Sequence, residues 1–199
     1  MTSGPFAVPV SLSGRHVSLE PLQPSHADAL RAAVTDGDLW RRWYASVPAP
    51  EGVDAYIETA LAAQAAGAAL AFAVRDATGT VVGSTRYYDI DRSVPRVSIG
   101  YTWYAQRAQR TGLNTDAKRL LLGHAFDAMG CIAVAFETSW FNHASRAAIT
   151  RLGARQDGVL RNHRRHADGS VRDTVVFSIL DSEWPAVRSH LQAKLSAYD

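Results

Sequence analysis

The stretch from Arg96 to Ala117, R-V-S-I-G-Y-T-W-Y-A-Q-R-A-Q-R-T-G-L-N-T-D-A, gathers residue types suited to holding a polyanion. An apolar strand pattern runs into a polar loop carrying Arg107, Gln109, Arg110 and Gly112, and a helix opens near Leu113. First-turn amides of a helix lack an internal acceptor, and the helix dipole points its positive end the same way, so phosphate is favoured there. Gly112 lets the main chain approach a diphosphate closely, Thr111 and Thr115 offer hydroxyl donors, and Arg107 and Arg110 supply charge. By itself the pattern reads equally well as a helix capped after a surface loop. Neither G-x-G-x-x-G nor a P-loop is present, which argues against dinucleotide-binding and P-loop nucleotide sites.

The elements that must position this stretch follow from periodicity. Val17, Leu19 and Leu22 suggest a strand, and Ser25 is expected to N-cap a helix through Val34. Asp36 to Gly52 reads as irregular and holds Trp40, Trp43 and Tyr44; a second helix fits Asp54 to Ala66. Strands are expected at Ala69 to Arg75 and Val81 to Asp89, paired across Asp76-Ala77-Thr78-Gly79. A strand at Arg96 to Tyr104, a helix at Leu113 to Met129 and a strand at Ile132 to Thr138 come next in order. Asn142 or Ser145 opens a short helix ending at Gly153. Strands Val159 to His166 and Val171 to Ile179 flank a turn at Ala167 to Ser170, and Ser182-Glu183-Trp184-Pro185 starts a last helix. The expected class is α+β, with a mostly antiparallel sheet and one strand–helix–strand crossover, in a single domain over residues 1–199.

Bulk properties narrow the function. Net charge is +2 and the isoelectric point near 8.9, too weak a bias for a nucleic-acid binder. The one cysteine, Cys131, excludes an internal disulfide framework or a cysteine-rich zinc site, and it reads as buried and inert. The alanine-rich run from Ala60 to Val74 is interrupted by Gln64 and Gly67 and does not suit a membrane span. No secretory signal pattern follows Met1, so a cytoplasmic protein is expected.

Gln109-Arg110-Thr111-Gly112-Leu113-Asn114 resembles the pyrophosphate loop of the GNAT N-acetyltransferase superfamily, where Gln or Arg is followed by two residues, Gly, one residue, and Gly or Ala. Ile99-Gly100-Tyr101 before the loop and Thr115-Asp116-Ala117 after it resemble the RimJ/RimL-like branch. So does the later arrangement of Asn142, Ser145, Ile149, Leu152 and Gly153, and so does the closing stretch to Ile179. Asn114 departs from the family's glycine or alanine and Gln109 from its commoner arginine, so altered phosphate contacts are expected with cofactor binding retained.

The resemblance implies a GNAT-like sheet whose parallel strand pair, Arg96 to Tyr104 and Ile132 to Thr138, splays around acetyl-CoA, with no metal. It implies that main-chain N–H groups at Thr102, Trp103 and Tyr104 bond the thioester carbonyl, that Asn142 contacts the pantetheine arm, and that Ser145 protonates the leaving thiolate. Direct attack by an amine needs a base, and Glu137, Asp89, His163 and His166 stay open, Glu137 lying nearest the presumed chemistry. Trp40, Trp43 and Tyr44 fall where the family lines its acceptor pocket, although they could equally be a satellite core. The implied activity is N-acetylation of a small amine, amino acid or short peptide. A protein N-terminal acetyltransferase of the ribosomal kind is the alternative, and a CoA-binding module without turnover is the third reading. A homodimer is the family's habit.

Overall fold

The computed structural model describes residues 8–198. One eight-stranded sheet runs through it in the order β1-β2-β3-β4-β5-β6-β8-β7, formed by β1 (Leu12–Ser13), β2 (Val17–Pro21), β3 (Ala69–Asp76), β4 (Val81–Asp91), β5 (Arg96–Tyr104), β6 (Ala133–Ser139), β7 (Arg155–Arg165) and β8 (Val171–Leu180). Only β5 and β6 are parallel; every other neighbouring pair is antiparallel. Helices α1 (Ala27–Thr35) and α2 (Val53–Ala65) pack against β3 and β4. Helix α3 (Leu113–Gly123) is the crossover between β5 and β6 and packs with α5 (Trp184–Leu195), while α4 (His143–Arg151) follows β6. The mixed α+β class and the crossover agree with expectation.

Local chemistry explains the turns. In the β3–β4 hairpin the Asp76 carboxylate accepts from the N–H groups of Thr78 at 2.9 Å and Thr80 at 3.1 Å, and Gly79 takes the left-handed conformation. Asp168 does the same for Ser170 between β7 and β8, with Gly169 left-handed. Ser25 is not the cap of α1. The chain enters through a 3₁₀ turn at Pro24–His26, whose proline presets the backbone, and the Gln23 N–H donates to His26 Nδ1 at 3.0 Å. Strand β7 begins at Arg155 rather than Val159, because its pairing shifts between Gln156 and Gly158 and hides the alternation. Beyond α3 the helix continues through a π turn at His124–Ala128, closed by the Met129 N–H to the His124 carbonyl.

Beyond Ser98 strand β5 departs from regular pairing in two ways. Arg86 of β4 faces Gly100, but Ser84 faces Trp103, so Tyr101 and Thr102 together oppose Thr85 in a bulge. Tyr101 adopts φ 51°, a conformation uncommon for an aromatic residue. The parallel ladder is also short: Arg96, Val97 and Ser98 pair with Ala133, Val134 and Ala135, and then the strands part. From there β5 stays with β4 to Tyr104, and β6 stays with β8 to Ser139.

Gly83 fixes the end of this divergence. A Cβ there would lie 2.0 Å from the Trp103 carbonyl oxygen, which is backbone and cannot turn away. Gly83→Ala is expected to lower stability by about 3 kcal/mol in denaturant unfolding, as overpacking against backbone does. An unchanged midpoint and slope would contradict this close approach.

Candidate active site

Where β5 and β6 part, a cleft of about 600 Å³ opens through the sheet. Its walls are the bulged half of β5, the end of β6, the start of α3 and the first turns of α4. Arg42, Arg110, Lys118, Arg151 and Arg172 line it, against the single carboxylate of Glu137. Among the described residues none of these four arginines has a carboxylate within ion-pairing distance. The cleft therefore favours an anionic occupant.

At one end lies the loop before α3. Arg110 takes φ 60°, turning the chain so that the loop and the first helical turn face the cleft. Gln109 Nε2 donates to the Tyr104 carbonyl at 3.0 Å and ties the loop to the end of β5. Thr111 donates to the Ala108 carbonyl and its hydroxyl accepts from the Leu113 N–H. Gln109, Arg110, Thr111 and Asn114 line the cleft; Gly112, Leu113 and Thr115 do not. The side chains of Leu113 and Thr115 are buried. Gly112 has φ −64°, and a Cβ on it would meet the His16 ring at 3.1 Å, so this glycine makes room for a neighbour on the protein's own side. Arg107 is occupied by Asp36 at 3.0 Å and is not part of the lining.

The α3 face of the cleft holds a group that the motifs did not single out. Lys118 is 6% exposed, and its Nζ donates to Thr102 Oγ1 at 2.7 Å. It lies one turn beyond Asn114 on the same helix face, which was the available signal. Thr102, Trp103 and Tyr104 all line the cleft, and the buried Trp103 Nε1 and Tyr104 hydroxyl have no protein partner among the described residues. On α4, Asn142 is the N-cap: its Oδ1 accepts from the Ser145 N–H at 3.1 Å, which settles the choice between the two caps. Both residues line the cleft.

The opposite face carries Glu137, Tyr101 and Arg172. Directly opposed residues of β6 and β8 point to one side, so Glu137, Ser139, Thr174 and Arg172 share a face. Glu137 Oε2 accepts from Arg164 Nη2 at 3.1 Å. Tyr101 and Tyr56 sandwich the Arg86 guanidinium, at 4.0 and 4.9 Å from the ring centroids, which supports the strained Tyr101 backbone. Burial and the nearby Glu137 hold the Tyr88 hydroxyl well above the usual phenol range.

The aromatic trio separates. Tyr44 lines the cleft with Ala45, Ser46 and Val47. Trp43 lies instead in a shallower depression with Phe141 and stacks edge-on to His166 at 4.8 Å. Trp40 packs against the core beneath the Arg41 guanidinium. Of the other base candidates, neither Asp89, His163 nor His166 lines the cleft. Cys131 is buried and its thiol is pushed up to about 11 by that burial, as expected of an inert side chain. No described helix is long and apolar enough to cross a membrane.

Comparison with known proteins agrees with this geometry. The acetyltransferase (GNAT) domain family matches residues 16–155. The Bacillus subtilis (strain 168) protein YdaF, provisionally named a ribosomal N-acetyltransferase, is 28% identical over 161 residues, which cover 81% of this chain and 74% of its own. A GCN5-related N-acetyltransferase from Brucella melitensis is 33% identical with a TM-score of 0.87, over 96% of this chain and 87% of its own. Mycobacterium smegmatis RimJ, at 21% identity, shares the fold with a TM-score of 0.80 over 94% and 95% of the two chains. The chain thus belongs to the GNAT acetyltransferases and is an acyltransferase of a family that uses acetyl-CoA.

Proposed function

We propose that this acyltransferase moves the acetyl group of acetyl-CoA directly onto a primary amine of a small molecule, an amino acid or a short peptide. The observation that carries the reading is the parting of β5 and β6 after Ser98 and Ala135, which leaves a cleft lined by strand edge at its centre and by a helix start at one end. Coenzyme A needs both features: an edge for its amide-bearing arm and donors for its diphosphate. Bound acetyl-CoA supplies an acyl group already activated as a thioester.

The protein's share is binding, orientation and proton handling. Arg110, Asn114 and the first-turn amides of α3 would hold the diphosphate, in a loop fastened by Gln109 and the Thr111 hydroxyl. Main-chain N–H groups along Thr102, Trp103 and Tyr104 would polarise the acyl carbonyl, aimed by the bulge at Tyr101. The Asn142 amide nitrogen, left over from capping α4, would contact the pantetheine arm, and Ser145 would donate a hydrogen bond to the leaving sulfur. Glu137, paired with Arg164, would draw the acceptor's ammonium into the cleft. Tyr44 and the segment to Val47 wall the acceptor's side.

A second reading, acetylation of a ribosomal protein's N-terminus, is favoured by the likeness to YdaF. A protein substrate needs an open trough, whereas here Leu39, Arg42 and Tyr44 to Val47 wall one side of the cleft. That wall favours a small acceptor.

Incubation with acetyl-CoA and a panel of amines, followed by free-thiol release, is expected to give turnover with small amines. Release with ribosomal N-terminal peptides alone would transfer the conclusion to the second reading, and tight CoA binding with no release from any acceptor would remove both. Ser145→Ala is expected to lower kcat at least about tenfold with acetyl-CoA affinity unchanged; full turnover would take Ser145 out of the mechanism. Asn114→Asp puts a carboxylate in the first turn of α3, where it suits the helix dipole but repels phosphate. It should leave thermal stability unchanged or slightly higher while weakening CoA binding at least about tenfold; undiminished affinity would move the diphosphate elsewhere.

A further inference from the structure

Lys118 and Lys194 are the only lysines in the sequence; every other strongly basic residue is arginine. Lys118 is the buried one, and its contacts are the hydroxyls of Thr102 at 2.7 Å and Thr85 at 3.4 Å, which lie 2.8 Å from each other. No carboxylate lies within ion-pairing distance of it among the described residues. The strands packed against it present these two threonines. On its own helix the Asp116 carboxylate is turned away, accepting from the His16 N–H and from Arg119. The remaining charged and titratable groups of the cleft are Glu137, Arg42, Arg110, Arg151, Arg172, Tyr44, Tyr101, Tyr104 and Tyr198. Burial alone pushes the Lys118 amine down to about 7. An arginine at this position would stay charged at every relevant pH, whereas a buried lysine can give up its proton. Among the lysine and arginines lining the cleft, the position therefore holds the one side chain able to exchange a proton near neutrality. Its amine touches Thr102, whose main chain would face the acyl group during acetyl transfer.

We propose that Lys118 carries the proton from the attacking amine to the departing sulfur, first as base and then as acid. The proposal rests on the acetyl-transfer reading. The acceptor attacks as a free amine, its first proton having been left to solvent. As the nitrogen–carbon bond forms, the nitrogen gains positive charge, and one N–H proton passes to the neutral Lys118 amine, directly or through the Thr102 hydroxyl. The carbon–sulfur bond then breaks with its electron pair on sulfur, and the Lys118 ammonium returns the proton there. An amide and a thiol leave, and the lysine is neutral again. One side chain can serve both atoms because nitrogen and sulfur are bonded to the same carbon during transfer. The return step is downhill, since an ammonium near 7 is a stronger acid than an alkyl thiol near roughly 8.5. A serine hydroxyl is too weak an acid to release its proton outright, so Ser145 orients the sulfur while Lys118 supplies the proton.

The pair of lysines makes the test direct. With carbon-13 at the lysine ε position the full-length protein gives two resonances, one from each lysine. We expect the Lys118 resonance, assigned by its loss in Lys118→Met, to titrate near pH 7 and to move on adding CoA. Lys118→Arg, charged throughout, and Lys118→Met are expected to lower kcat at least about 100-fold, with the Kd for CoA within about threefold of wild type. The rise of kcat/KM through pH 7 should vanish in both. Titration of the Lys118 resonance above about pH 10, or wild-type kcat in Lys118→Arg, overturns the proposal. Absence of thiol release from CoA-competent wild type with every amine overturns the transfer reading and the proposal together, and it is recognised because it appears before any substitution is made.

Discussion

The structure turns on a ladder that stops early. Three residues of β5 pair with three of β6, and past Ser98 and Ala135 the strands have no hydrogen bonds with each other. Backbone donors and acceptors at such a break must be met by something other than sheet. A flat continuous sheet would have closed over this position, so every proposed role in the site depends on holding the strands apart. The bulge at Tyr101 and Thr102 twists β5 away, Gly83 admits the Trp103 carbonyl, and Arg86 between two tyrosines supports the positive-φ Tyr101.

The break also divides the chemistry. Because side chains alternate across a strand, the bulge sends Thr102 towards α3 and Lys118, while Tyr101 turns to the face of Arg86, Glu137 and Arg172. A donor fixed at the α3 end and an acceptor entering on the other face would then meet where the strands part. The same local geometry that costs sheet pairing thus gives two substrates separate entrances. Stability comes from elsewhere: the apolar layers between the sheet and its helices, and ties such as the buried Tyr87 hydroxyl donating to the Leu121 carbonyl.

Much of this was legible in the residues. Strong periodicity located the β3–β4 hairpin, β5, α3 and β6, and the turn chemistry of Asp76 and Asp168 held. The loop from Gln109 to Asn114 does face the cleft, but which of its side chains do so depends on helical phase. Leu113 and Thr115 turn into the core. Gly112 backs onto His16, a neighbour so distant along the chain that no local pattern announces it. Trp40, Trp43 and Tyr44 are close enough in sequence to look like one cluster, yet the irregular backbone sends them to three environments. Lys118 does not stand out in the sequence because lysine ordinarily signals surface, and here the amine meets two threonines from strands β4 and β5.

The most direct measurement is a crystal structure of the protein with coenzyme A bound. The account predicts the diphosphate against the first turn of α3 beside Arg110 and Asn114, and the pantetheine arm running between β5 and β6 past Asn142. Coenzyme A bound elsewhere, with the strands still parted and the cleft filled only by water, would contradict it.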